Sequence, residues 1–239
     1  MRLLVVNSNT TAAVTERIAA EARRAAPTGT EVTAVTAPFG LPLIVTASDW
    51  QVAGTATLAA LGAARGTYDA AIIACFGDPG LDVAKERAGV PVLGISEAAF
   101  HAAAMLGRRF GVVSFTRALE PMYVDCLARH GLASRCAGFR SGPDFNGDPG
   151  TVAEDRAAMV LELIDEAVRL DGADVVIIAG GPLAGLAHSL APHVPVPLID
   201  GVSAAVALAE ALVRLAPRLP RRAGRTSTGL DPGLAAFLC

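Results

Sequence analysis

The sequence predicts an α/β protein of two pseudo-symmetric lobes, each built on a parallel sheet, with its active site in the cleft between them. Three observations carry this. Strand-like runs alternate with Ala-rich helical segments, the pattern of sheets covered on both faces. The second half echoes the first, in order, at a spacing of roughly 105 residues. Just over half of the 239 residues are hydrophobic and 18% are charged, enough for a sizeable buried core.

The strand-like runs are Leu3–Val6, Glu31–Val35, Ala70–Ala74, Val92–Ile95, Phe110–Ser114, Val175–Ala179 and Val196–Ile199. Helical spacing falls at Thr11–Ala26, Gly54–Arg65, Thr116–His130 and Val152–Leu170. Ala70-Ala-Ile-Ile-Ala-Cys75 resembles Asp174-Val-Val-Ile-Ile-Ala-Gly180. Val90-Pro-Val matches Val194-Pro-Val, and Glu97-Ala-Ala matches Ser203-Ala-Ala. Leu4-Val-Val-Asn-Ser-Asn9 pairs with Gly111-Val-Val-Ser-Phe-Thr116. Any one match is ordinary in Ala/Val-rich sequence; their common order is what argues for two related halves. The expected lobes are 1–97 with 201–239, and 98–200.

Several function classes are excluded. The net charge is −3, so no global basic field is available to hold a phosphate backbone. Arg214, Arg218, Arg221, Arg222 and Arg225 cluster near the C-terminus and read as a solvated tail. No apolar run is long enough to span a bilayer, and the N-terminus has no charged-then-apolar leader. The four cysteines have neither Cys-x-x-Cys nor zinc spacing, so the chain reads as cytoplasmic with free thiols. Lys85 is the only lysine and lies in a helix-like stretch, which argues against a pyridoxal Schiff base. No glycine-rich nucleotide loop follows a strand.

In open parallel sheets, ligands bind beyond the carboxyl ends of the strands. Those ends carry Asn9, the run Cys75-Phe76-Gly77, the run Ser114-Phe115-Thr116, and Gly180-Gly181-Pro182. Cys75 is the one reactive side chain among them. A thiol near backbone N–H groups and a helix start can have its pKa lowered, making a base or nucleophile; otherwise it is a small core residue. Asn9, Ser114 and Thr116 are hydrogen-bond donors to a ligand or helix caps. Phe76, Gly77, Gly180 and Gly181 offer backbone N–H groups for enolate charge, or simply make turns. His101 and His188 read as surface or satisfied histidines, and Asp200 as the cap of the helix that follows it. Phe39, Trp50, Phe76, Phe115 and Tyr123 are candidates for an apolar pocket or for core.

Four blocks carry a resemblance. They are Asn7-Ser-Asn-Thr-Thr11, Ala74-Cys-Phe-Gly-Asp-Pro-Gly-Leu81, Gly94-Ile-Ser-Glu-Ala-Ala99 and Val196-Pro-Leu-Ile-Asp-Gly-Val-Ser-Ala-Ala205. With them the chain, up to about Leu215, resembles the aspartate/glutamate/hydantoin racemase superfamily, and most of all its hydantoin and allantoin racemases. The resemblance implies two α/β domains and proton transfer without cofactor or metal, by two cysteines on opposite faces of a small-molecule substrate. Cys75 matches the first cysteine. Gly180 stands where the second is expected, and Cys126 and Cys136 lie in the wrong part of the repeat to replace it; water or His188 is left as a substitute. The expected activity is a cofactor-independent racemase or epimerase with Cys75 as acid/base. The alternatives are a one-base decarboxylase or isomerase like the arylmalonate decarboxylases, and an inactive small-molecule binding protein. Expected partners are the small-molecule substrate and, as an open option, further copies of the chain, not nucleic acid or a membrane.

Overall fold

The computed structural model describes residues 1–215 and 218–239. The first half runs β1 (Arg2–Asn7), α1 (Ala12–Ala25), β2 (Glu31–Thr36), α2 (Ala47–Ala63), β3 (Ala70–Ile73), α3 (Leu81–Arg87), β4 (Val92–Gly94) and α4 (Ile95–Leu106). The second runs β5 (Phe110–Ser114), α5 (Glu120–Arg129), β6 (Cys136–Ser141), α6 (Val152–Arg169), β7 (Val175–Ala179), α7 (Leu186–Leu190), β8 (Leu198–Asp200) and α8 (Gly201–Leu215), and α9 (Pro232–Leu238) ends the chain. All strand pairs are parallel.

The two sheets share one topology, β2-β1-β3-β4 and β6-β5-β7-β8. In each, the central pair is buried on both faces, as apolar β3 and β7 require. The repeat is kept at the level of register. Val6 pairs with Ile73 in one sheet and Val113 with Ile178 in the other. Cys75 and Gly180 therefore leave equivalent strands at equivalent positions.

Helices form where apolar spacing and caps agree. On α1, Val14, Ile18 and Ala22 make one buried stripe. Thr46 and Asp49 form a reciprocal capping box that starts α2. The helix α8 touches β3 and β4 of the first sheet and β7 and β8 of the second, so it ties the two together. Position 97 falls inside α4, which packs on α8 and on strands of both sheets.

Two elements were not legible beforehand. β6 is a half-buried edge strand whose Cys136-Ala-Gly-Phe-Arg-Ser141 lacks the β-branched run of a central strand. The C-terminal segment does not hang free. α9 packs on α2, with Phe237 buried, and the Arg87 guanidinium holds the carbonyls of Arg222 (3.1 Å), Ala223 (2.8 Å) and Leu238. Arg221, Arg222 and Arg225 are exposed, as a solvated face requires. No helix among the described residues is long and apolar enough to cross a membrane.

Candidate active site

The carboxyl ends of β3 and β7 converge on one small cavity of about 20 Å³. Cys75 reaches it from the first sheet and Gly180-Gly181-Pro182 from the second. Asn9, beyond β1, and Tyr123, on α5, are the other polar side chains lining it. Phe76 and Phe115 form apolar walls; Leu43, Ile44 and Met122 complete them. Every side chain lining the cavity is uncharged.

Asn9 is fixed by its neighbours. Its Oδ1 accepts from Asn7 Nδ2 at 2.9 Å and from the Thr11 amide at 2.9 Å. Asn7 is held in turn by Thr15 Oγ1 at 2.9 Å. With its oxygen thus engaged, Asn9 is left with its Nδ2 hydrogens as donors for a ligand. Tyr123 is buried and packs edge-on to Phe76 with ring centroids 4.7 Å apart. Burial holds its phenol far above the ordinary range, with the nearby Cys75 adding to the effect, while a hydrogen bond with Ser114 opposes it.

Cys75 departs from expectation. Burial raises its pKa strongly, and the charge of Asp78 pushes the same way. A strand-end position near helix starts suggested a lowered value. That effect needs N–H dipoles aimed at the sulfur in a partly solvated setting. Here desolvation of the thiolate outweighs it. The resting group is the thiol.

Gly180 has φ +124° and ψ +130°, a conformation essentially confined to glycine. A Cβ added there would sit 3.3 Å from Phe115 Cε1 and 3.5 Å from the Tyr123 hydroxyl. The side chains facing this position are therefore the Phe115 ring and the Tyr123 phenol. Sequence reasoning placed Tyr123 only among possible pocket aromatics, because nothing in the chain marks α5 as crossing over Gly180.

Several candidates lie elsewhere. Gly77 is outside the cavity; its N–H donates to Ser96 Oγ at 2.6 Å, and its carbonyl accepts from Trp50 Nε1 and Arg129, both at 3.0 Å. Ser114 Oγ donates to the Thr116 carbonyl at 3.5 Å. Thr116 Oγ1 accepts from the Ala118 amide at 3.4 Å and caps a 3-10 turn. Both are buried, and neither lines the cavity. His188 is exposed on α7 and does not line the cavity. Phe39 is exposed and Trp50 is held by Gly77, so neither lines it. Asp200 caps α8, accepting from Val202 (2.8 Å) and Ser203 (3.1 Å), and also takes the Gly185 amide at 2.7 Å. Asp78 caps α4 through the Ser96 and Glu97 amides, at 3.0 and 2.8 Å. Gly94 is required beside it, since a Cβ there would overlap the carboxylate.

The family model described as Asp/Glu/Hydantoin racemase matches residues 3–209. A hydantoin racemase of Pseudomonas sp. (strain NS671) is 35% identical over 90% of this chain and 87% of its own. One from Paenarthrobacter aurescens is 33% identical over 90% and 92%. Among solved structures, the allantoin racemase from Klebsiella pneumoniae superposes with a TM-score of 0.85 at 35% identity, covering 95% of this chain and 96% of that one. An arylmalonate decarboxylase, at 16% identity and TM-score 0.61, covering 88% of this chain and 92% of its own, shares the fold.

Proposed function

The chain belongs to the Asp/Glu/hydantoin racemase family and is an isomerase; from that premise we propose that it racemises a neutral five-membered ring of the hydantoin or allantoin type, with Cys75 as acid/base. The observation that carries the choice of substrate is the uncharged cavity. An amino-acid substrate would bring an ammonium and a carboxylate into a lining that pairs with neither, which is costly. A cyclic imide brings only N–H and carbonyl groups.

In this reading the Cys75 thiolate takes the proton from the ring carbon. The C–H bond breaks, an S–H bond forms, and the electron pair moves into the adjacent carbonyl. Asn9 Nδ2 and the N–H groups of Gly180 and Gly181 are the donors that hold the enolate oxygen. No cofactor is required. On the face opposite Cys75, the Tyr123 hydroxyl gives its proton to the carbanion. Product leaves inverted, and the phenolate recovers a proton from Cys75 through solvent. With its pKa raised, the phenol stays protonated at neutral pH, so it is present as a donor while its phenolate is scarce as a base. The two faces are therefore unequal.

A cavity of about 20 Å³ holds a water and no substrate. Met122 also lines an open cleft of about 560 Å³ with Val45, Trp50 and Asp125. Substrate reaches Cys75 from that cleft when Met122 and the 43–46 segment part. The second reading, one-thiol decarboxylation, draws on Gly180 alone and would place two carboxylates in an uncharged cavity.

The test is solvent-deuterium exchange. Single enantiomers of 5-substituted hydantoins and allantoin are incubated in D₂O and followed by NMR and chiral chromatography, with substituted malonates screened for CO₂. Racemisation with deuterium uptake is expected, abolished in Cys75→Ser and within a few-fold of wild type in Cys126→Ser, Cys136→Ser and Cys239→Ser. Because the Cys75 pKa is raised, the thiolate fraction grows about tenfold per pH unit through neutrality, so kcat/KM should still be rising at pH 9. CO₂ release without racemisation, or full activity in Cys75→Ser, would overturn the reading.

A further inference from the structure

A second group of reactive side chains lies on α4 and α5, away from the cavity that holds Cys75. Glu97 and His101 stand one turn apart on α4, so both project from the same face. His130 ends α5 and comes to meet them. One ligand atom from each of the three lies within 4.8 Å of the other two. His130 also belongs to a deeper group with Asp78 and Cys126, under the same limit. Its Nε2 is 3.3 Å from Asp78 Oδ2. Beside the cluster opens a cleft of about 510 Å³, lined in part by Glu97, His130, Lys85 and Arg129.

We propose that Glu97, His101 and His130 bind a divalent transition-metal ion, Zn²⁺ in the first instance, with Asp78 orienting His130. Two imidazoles and a carboxylate are a set that zinc takes, with a fourth position left for water from the cleft. A carboxylate hydrogen-bonded to a ligating imidazole is the usual outer partner, fixing the ring. Asp78 is buried and its own position is fixed by the α4 cap, so it supplies that partner without being free to ligate. Cys126 is fully buried and its thiol is turned to Asp78 Oδ2 at 3.8 Å, so it stays outside the ligand set. The ion would pin the start of α4 to the end of α5.

Two cations face the site. The Lys85 ammonium pairs with Glu97, and Arg129 lines the same cleft while stacking on Trp50. Lys85 is half exposed, so it can swing into solvent when an ion takes its place. It is thus a built-in competitor, and this gives the sharpest test.

The metal-stripped full-length protein is titrated with Zn²⁺ against a chromophoric chelator, and with Co²⁺ by absorption spectroscopy. One ion per chain is expected. His101→Ala and Glu97→Gln should each weaken binding at least tenfold, whereas Lys85→Met should tighten it several-fold. All three positions are on exposed or half-exposed helix faces, so their folding can be verified by circular dichroism. The Co²⁺ spectrum should show d–d bands without a sulfur-to-metal charge-transfer band. Binding that is indifferent to His101→Ala and Lys85→Met, a sulfur charge-transfer band, or no binding would each overturn the proposal.

Discussion

Gly180→Cys puts a thiol on the face opposite Cys75, and the structure sets both its cost and its gain. The backbone at 180 lies at φ +124° and ψ +130°, where a side chain costs about 1–3 kcal/mol. The new Cβ would also press on Phe115 at 3.3 Å, tight enough that the ring must give by a few tenths of an ångström. For a chain of this length each kcal/mol lowers Tm by about 2–4 °C, so a drop of roughly 2–12 °C is expected. The gain is read in exchange. Racemisation in the two directions is tied by an equilibrium constant of one, so kcat/KM for inversion is equal for both enantiomers. Proton exchange without inversion is not so constrained. In the wild type, the enantiomer whose C–H faces Cys75 should wash in deuterium faster than it inverts; its mirror image should gain deuterium only as fast as it inverts. Gly180→Cys should raise exchange of that second enantiomer about tenfold or more, as an added acid/base does. Separate enantiomers are followed in D₂O by NMR, with thermal melts on the same samples. Equal exchange of both enantiomers by the wild type would show that a full second base already exists and refute the one-thiol arrangement. An unchanged Tm in the variant would refute the strain assigned to Gly180.

Two further predictions follow from side chains around the site. Tyr123→Phe keeps the ring packed on Phe76 and removes only the hydroxyl; inversion should fall about 100-fold while same-face exchange by Cys75 stays within a few-fold, and unchanged inversion would exclude the phenol as donor. Asp200 is buried with its pKa raised from 3.8 to about 6, so the native state holds its proton where the unfolded chain has lost it. Stability from this group is therefore present at low pH and lost as pH rises from about 4 to 6, by on the order of 2–3 kcal/mol. Denaturant melts at pH 4.5 and 7 should show that loss in wild type and not in Asp200→Asn, whatever the variant's absolute stability.

What the sequence determined by itself is the repeat and its consequence. Two apolar strands ending in Ala-Cys and Ala-Gly, a fixed distance apart, place residues 75 and 180 at equivalent strand ends, because parallel register leaves a strand no other exit. The Asp200 cap was legible for the same local reason: an aspartate directly before a helix finds the amides of its first turn. Only the tertiary structure decided what surrounds the thiol. Ser114 and Thr116 look like Asn9 in sequence, yet their hydroxyls are engaged with the Thr116 carbonyl and the Ala118 amide, while Asn9 keeps its amide hydrogens. Tyr123 comes from a helix in the other half, and Leu43 and Ile44 from an irregular segment with no periodicity to mark it. The sign of the Cys75 shift was equally out of reach. It is set by how much water the packed walls exclude, a sum over side chains distant in sequence, which no local pattern encodes.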